Sequence, residues 1–206
     1  MKLATFATDG KPELGVVDDG DQIISLSRAA PKLDTTMMDL IGRWQELEGE
    51  VRRVASANAP RLPLAKVRLQ APIARPGKIL AIGMNYADHV AEMGRQLPTE
   101  QVWFCKQPTA VNGPYDPIVL PKVSDMVDWE VELVVVIGRK GRHISKADAP
   151  KHVFGYCAGN DVSVRDWQNA TPQWMLGKSF DTHAPFGPWI TTGPYSRADG
   201  KSWRTT

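Results

Sequence analysis

The chain has 206 residues, of which 42 % are apolar and 23 % charged, with a formal net charge of +2. That balance is ordinary for a soluble globular protein, and the length allows one sizeable core or two small lobes. It argues against nucleic acid or an anionic membrane as partner, because each requires a concentrated basic patch. The densest basic stretch, Arg139, Lys140 and Arg142 around Gly141, reads as a solvated turn. No apolar run approaches the ~20 residues of a membrane span. The start, Met1-Lys2-Leu3-Ala4, turns polar by Thr8-Asp9-Gly10, so no secretory signal is expected. Cys105 and Cys157 are the only cysteines, too few for a secreted disulfide framework, and a cytoplasmic location is expected.

Residues 1–72 read as a small N-terminal α+β lobe. Leu3 to Phe6, Leu14 to Val17 and Gln22 to Leu26 are short β-like runs, with turn chemistry at Asp9-Gly10 and Asp19-Gly20. Leu40, Trp44, Leu47, Val51 and Val54 recur at spacings of four and three and predict one packing helix. The prolines at 60, 63, 72 and 76 mark residues 59–76 as a connector. Residues 73–206 read as a second domain. Lys78 to Gly83 predicts a strand, and Ala87 to Met93 a short helix ended by Gly94. Val131 to Ile137 is almost continuously β-branched and predicts a strand buried on both faces. Ser145 with Asp148 resembles a capping box, and Val153 to Val164 predicts a further strand.

Chemistry-bearing residues fall in four segments. Glu130 and Glu132 open the Val131 strand, and side chains two apart on a strand face the same way. Such a pair either remains in water at a strand end or holds a hard divalent cation, for which Mg²⁺, Mn²⁺ or Ca²⁺ suits oxygen donors better than zinc. Asp161 ends an apolar strand, and Arg165 follows it, able to pair with Asp166 or another nearby acid. His89 and Glu92 lie three apart on one helix face, either a surface pair or a general base with its orienting carboxylate. Lys178 is an oxyanion or carboxylate binder, or a solvent lysine. His143, His152 and His183 have no spacing that makes a zinc set with the cysteines.

Read as one string, the sequence resembles the fumarylacetoacetate hydrolase family. The matching pieces are Gly83-Met84-Asn85-Tyr86-Ala87-Asp88-His89, Asp128-Trp129-Glu130-Val131-Glu132-Leu133, Asn160-Asp161-Val162-Ser163-Val164-Arg165-Asp166 and Gly177-Lys178-Ser179-Phe180-Asp181. The resemblance implies an α+β, β-rich fold, with a mixed β-roll or barrel beside the small lobe. It implies Mg²⁺ or Mn²⁺ on Glu130, Glu132 and Asp161, with Ca²⁺ able to stand in. It implies a base dyad of His89 and Glu92, an active-site Lys178 and a homodimer. The implied activity is hydrolysis of a carbon–carbon bond in a 2-oxo or β-diketo acid. The metal would polarise the keto group, His89 would activate water and Lys178 would meet developing negative charge. A hydratase or decarboxylase on the same scaffold is the rival enzyme reading, and a truncated, non-catalytic metal-binding chain the other. Family members continue past the lysine segment, so the C-terminal part is expected to be incomplete. Gly193 to Thr206 is polar and turn-rich and does not read as a family strand.

Overall fold

Apolar runs broken by turn residues make the first three strands: β1 (Lys2–Ala7), β2 (Glu13–Val17) and β3 (Gln22–Ser25). They pair as an antiparallel meander, with Lys2 opposite Val17 and Val16 opposite Ile24. Gly10 takes φ +98°, a backbone conformation that favours glycine, in the first turn. The computed structural model describes residues 1–19, 21–92 and 94–193. The turn expected at Gly20, the helix end expected at Met93 and the polar tail from Pro194 lie outside the described residues.

Helix α1 (Leu26–Ala29) starts directly after β3, and its cap Ser25 accepts a bond from the Arg28 amide. The single helix expected over Leu40 to Val54 is two, α2 (Met37–Gly42) and α3 (Trp44–Ser56), broken at Arg43. The break leaves the apolar stripe intact: Leu40, Leu47, Val51 and Val54 are all buried against the sheet. The stripe therefore reports burial correctly and continuity wrongly. The expected connector over 59–76 contains two short strands, β4 (Arg61–Pro63) and β5 (Arg68–Gln70). β4 is a sheet edge, where proline costs no ladder bond, so the prolines did not preclude pairing.

Next come β6 (Ile79–Gly83), α4 (Ala87–Glu92) and β7 (Val102–Lys106), with β6 and β7 paired antiparallel as a separate two-stranded sheet. Gly94, at φ +64° with its amide on the Ala91 carbonyl, follows α4 as expected. The short strands β8 (Val111–Asn112) and β9 (Val127–Asp128) precede β10 (Val131–Ile137) and β11 (Val153–Asn160). The Asp148 amide donates to Ser145 Oγ as a capping box requires, but the Asp148 carboxylate accepts from the Ser145 hydroxyl, and the segment leads into a 3-10 turn rather than an α-helix. The strand expected to run to Val164 breaks at Asp161. β12 (Ser163–Val164) leaves the sheet and pairs with β9. Helices α5 (Arg165–Asn169) and α6 (Met175–Lys178) and the strand β13 (Ala184–Thr192) complete the described chain.

The large sheet has nine strands in the order β10-β11-β13-β1-β2-β3-β4, with β5 on β1 and β8 on β13. It is antiparallel except at β13–β8. One sheet therefore spans both sides of residue 72: β13 pairs with β1, Lys2 opposite Thr191. The main core lies between this sheet and α2–α3, with Trp44 edge-on to Phe154 at 5.0 Å. A smaller cluster around Phe6, Ile23 and Leu69 fills another part of the sheet surface. The architecture is thus α+β and β-rich, as expected.

Double burial of Val131 to Ile137 does not hold. β10 is the terminal strand of the sheet, and its residues alternate: Val131, Leu133, Val135 and Ile137 are exposed, from 44 to 70 %. The β-branched run reflects strand propensity, not cover on both faces. Among the described residues no helix is long and apolar enough to cross a membrane.

One ion pair ties α1 to the meander. Arg28 Nε donates to Glu13 Oε2 at 2.9 Å, and Ser25 Oγ donates to the same oxygen at 2.7 Å. The Arg28 bond, and the serine hydroxyls after it, hold the Glu13 carboxyl below its ordinary 4.5 despite the opposing effect of burial. A carboxyl lowered on folding stabilises the protein above its unfolded value, and the gain is lost as pH falls through the folded value. Glu13→Gln is therefore expected to lower the melting temperature near neutral pH. The gap to the native protein should close in acid, as followed by circular dichroism over a pH series.

Candidate functional site

Two of the three acids sit where a strand ends, and the third, Glu132, lies one residue inside β10. Glu130 immediately precedes β10, and Asp161 immediately follows β11. The Asp161 amide donates to the Glu130 carbonyl at 2.8 Å, and the Glu130 amide donates to Asn160 Oδ1 at 3.0 Å. These bonds fix the two acidic residues across the end of the β10–β11 ladder. Glu132 is half-buried like Glu130, while Val131 and Leu133 face outwards, so the expected shared face is present.

Two lysines meet these acids from other elements. Lys178, at the end of α6 and 1 % exposed, donates to Glu130 Oε2 and Asp161 Oδ2, both at 2.8 Å. Its ammonium also lies 5.1 Å from the Phe104 ring centroid, a cation–π contact. Lys106 ends β7 and is 4 % exposed; it donates to Asp161 Oδ1 at 2.6 Å and to the Val162 carbonyl at 3.0 Å. Burial pushes the Lys106 ammonium below its ordinary value, and Asp161 opposes that shift. Arg165 closes the group. Its Nη1 is 2.6 Å from Glu130 Oε1, and its Nη2 donates to Asp128 Oδ2 at 2.7 Å. Burial opposes the charge of Arg165, yet the bonds to Asp128 and Glu130 prevail and raise it; the same contact lowers Asp128. Asp166 bonds to Ser124 instead, at 2.7 Å.

Glu132 is met by a hydroxyl. Tyr86 donates to Glu132 Oε2 at 3.0 Å. Burial raises the Glu132 carboxyl, and the charges of Asp161 and Glu130 add to that shift while the Tyr86 bond opposes it. His89 and Glu92 face each other on α4 with Nδ1 3.8 Å from Oε2, beyond hydrogen-bond distance, and both are exposed. The dyad residues thus stand beside one another in water, with Tyr86 linking the start of their segment to Glu132. His183 is fully buried and donates through Nε2 to the Val119 carbonyl at 3.0 Å, a structural role.

Glu130, Glu132 and Asp161 are hard oxygen donors, which suits Mg²⁺ or Mn²⁺. Among the described residues, no three His, Cys, Asp or Glu side chains are grouped closely enough to hold an ion. Lys178 occupies the space between Glu130 and Asp161. In chemistry the three carboxylates suit a hard cation; in their arrangement here Glu130 and Asp161 are bridged by Lys178.

Sequence reasoning missed Lys106. A lysine closing Val102-Trp103-Phe104-Cys105 carries no spacing signal, because strand ends commonly hold a solvated lysine. Tyr86 lies in the Gly83–His89 segment, where residue type alone signals no part in the site.

A family model described as fumarylacetoacetate (FAA) hydrolase C-terminal matches residues 78–203. The chain belongs to the fumarylacetoacetate hydrolase family. The mitochondrial oxaloacetate tautomerase FAHD2A of Bos taurus is 44 % identical over 197 residues, covering 93 % of this chain and 63 % of that protein. The Homo sapiens counterpart is also 44 % identical, over 184 residues, covering 88 % of this chain and 59 % of that protein. The chain therefore spans about three-fifths of the length of these curated relatives. Among solved structures, maleylpyruvate hydrolase from Sphingobium sp. SYK-6, in complex with manganese(II) and pyruvate, is 35 % identical with TM-score 0.75. That match covers 93 % of this chain and 67 % of the other. The fumarylacetoacetate hydrolase of Exiguobacterium antarcticum is 36 % identical with TM-score 0.78, covering 93 % and 66 %.

Placement of Lys178 depends on Gly177. A Cβ there would come within 2.3 Å of the Gln168 amide nitrogen in α5, so α5 and α6 pack at glycine contact. Gly177→Ala is expected to destabilise the fold by about 1–3 kcal/mol, the usual cost of overpacking. It should also withdraw Lys178 from its two acids. Urea denaturation measures the first effect, and loss of the side-chain contacts by NMR measures the second.

Proposed function

We propose that this chain carries out divalent-metal-dependent chemistry on a short 2-oxo acid, with formation of an enol or enolate as its central step. The observation that carries the reading is Lys178, buried and bridging Glu130 and Asp161 at 2.8 Å. A cation held out of water can stabilise developing negative charge far better than one in solvent. Glu130, Glu132 and Asp161 would hold Mg²⁺ or Mn²⁺; when bound, it supplies Lewis-acid polarisation of the keto oxygen. Manganese and pyruvate in the Sphingobium maleylpyruvate hydrolase support this choice of ion and substrate class.

The chain's own residues then do the following. Lys178 neutralises the oxygen that gains charge on enolisation. Arg165 and Tyr86 hold Glu130 and Glu132 in position. Where carbon–carbon hydrolysis follows, His89 takes the proton of the attacking water and Glu92 orients the imidazole. Where the reaction stops at tautomerisation, proton transfer alone suffices.

Two readings follow from that difference. The first is tautomerisation of oxaloacetate, supported by the names of the 44 %-identical relatives and by His89 and Glu92 lying exposed and 3.8 Å apart. The second is hydrolysis of an acylpyruvate, supported by the maleylpyruvate hydrolase likeness. A homodimer is part of the proposal, supported by the exposed apolar row of β10. The two free cysteines support a reducing compartment, cytoplasmic or, as for the animal relatives, mitochondrial.

The test is Mg²⁺- or Mn²⁺-dependent turnover, followed by ultraviolet absorbance of the enol, on oxaloacetate and a panel of acylpyruvates. Glu130→Gln is expected to abolish turnover of both. His89→Ala should spare tautomerisation and cut hydrolysis by about 100-fold or more. Absence of turnover on every compound by folded, metal-loaded protein removes both readings.

A further inference from the structure

We infer that Lys106 is a positioning residue for the candidate metal site, holding Asp161 Oδ1 so that the opposite oxygen, Oδ2, is presented to the ion. The inference rests on the metal reading proposed above. The Asp161 carboxylate is shared between two ammonium groups, one on each oxygen: Lys106 on Oδ1 at 2.6 Å and Lys178 on Oδ2 at 2.8 Å. The two lysines are not equivalent. Lys178 spends its bonds on Asp161 Oδ2 and Glu130 Oε2, both oxygens of proposed ligands. An ion drawn to Glu130 and Asp161 competes with Lys178 for those same atoms. Lys106 takes the remaining oxygen, and its second bond goes to the Val162 carbonyl at 3.0 Å, a neutral acceptor that no ion removes.

Lys106 is therefore anchored independently of the ion. It comes from β7, in a different sheet from β11, and so braces Asp161 from outside the ladder that carries it. The break after β11 makes this brace necessary. Asp161 lies between β11 and β12, outside either strand, and main-chain pairing alone does not set its side-chain rotamer. Lys106 and Lys178 divide the work: the first fixes Asp161 from outside the ladder, and the second bridges Asp161 to Glu130, on the oxygens an ion would share.

The experiment measures Mn²⁺ binding by electron paramagnetic resonance on native protein, Lys106→Met, Asp161→Asn and the double variant. Partners that hydrogen-bond a ligand carboxylate typically contribute about 10- to 100-fold to metal affinity. Lys106→Met, folded by circular dichroism, is expected to weaken Mn²⁺ by that factor. In the Asp161→Asn background the same substitution should add nothing, since its effect passes through Asp161. Native or tighter affinity in folded Lys106→Met, or losses that simply add, overturns the inference while leaving the metal reading intact. No Mn²⁺ binding by native protein overturns both. If Lys106→Met does not fold, the side-chain ¹⁵N ammonium resonances of the native protein decide during a Mg²⁺ titration. The Lys106 resonance should persist unshifted while that of Lys178 moves, and the reverse overturns the inference.

Discussion

Taking a carboxylate out of water is costly unless its oxygens find charged or hydrogen-bonding partners. Asp161 is 7 % exposed, and its two oxygens are met by Lys106 and Lys178. Each lysine is buried too, so each needs Asp161 as much as it is needed. The surrounding fold is arranged to bring these three groups together. β11 stops at Asn160, β7 ends at Lys106, and α6 ends at Lys178 after packing against α5 at a glycine. The outer members are graded by exposure: Arg165 links Glu130 to the more exposed Asp128, and Glu132 meets a tyrosine hydroxyl. Charge is thus compensated by buried lysines at the centre and by a more solvated arginine at the rim.

The helices and strands were legible where one face is buried. The meander β1–β3 and the stripe Leu40, Leu47, Val51 and Val54 follow apolar patterning, and that patterning is what the core selects. Patterning is blind to continuity. Arg43 interrupts the stripe without disturbing its phase, and Asp161 interrupts a β-like run that resumes at Val162. It is also blind to what lies opposite. Val131 to Ile137 has the composition of a strand covered on both sides, but its place at the end of the sheet is set by pairing partners 16 to 29 residues away. The two short strands in 59–76 were hidden because proline was read as a breaker, whereas an edge strand tolerates it.

For the site, order along the chain carried most of the information. Glu130, Glu132, Asp161 and Lys178 were singled out from residue type and family pattern, and the fold brings Glu130, Asp161 and Lys178 into direct contact. Glu132 stands on the shared face, one hydroxyl away from Tyr86. Lys106 could not be found that way, because its neighbours in sequence are strand residues and its partners lie 55 and 56 positions further on. His89 and Glu92 show the converse. Their spacing placed them on one helix face correctly, but spacing on a short exposed helix says nothing about distance to the acids.

The pairing of β1 with β13 bears on how the chain reaches this arrangement. β1 to β3 are joined by short turns and can associate soon after they are made. β11 and β13 join the other flank of β1 only after the chain has passed Thr192, across nearly the whole described length. Contacts of such long range carry a large loop-closure penalty and form slowly. During synthesis β5 can cover Thr5 to Ala7 early, while Lys2 and Leu3 wait for the last described strand. The lysine of α6 emerges just before that strand, so the charged centre and the closing seam of the sheet are completed together.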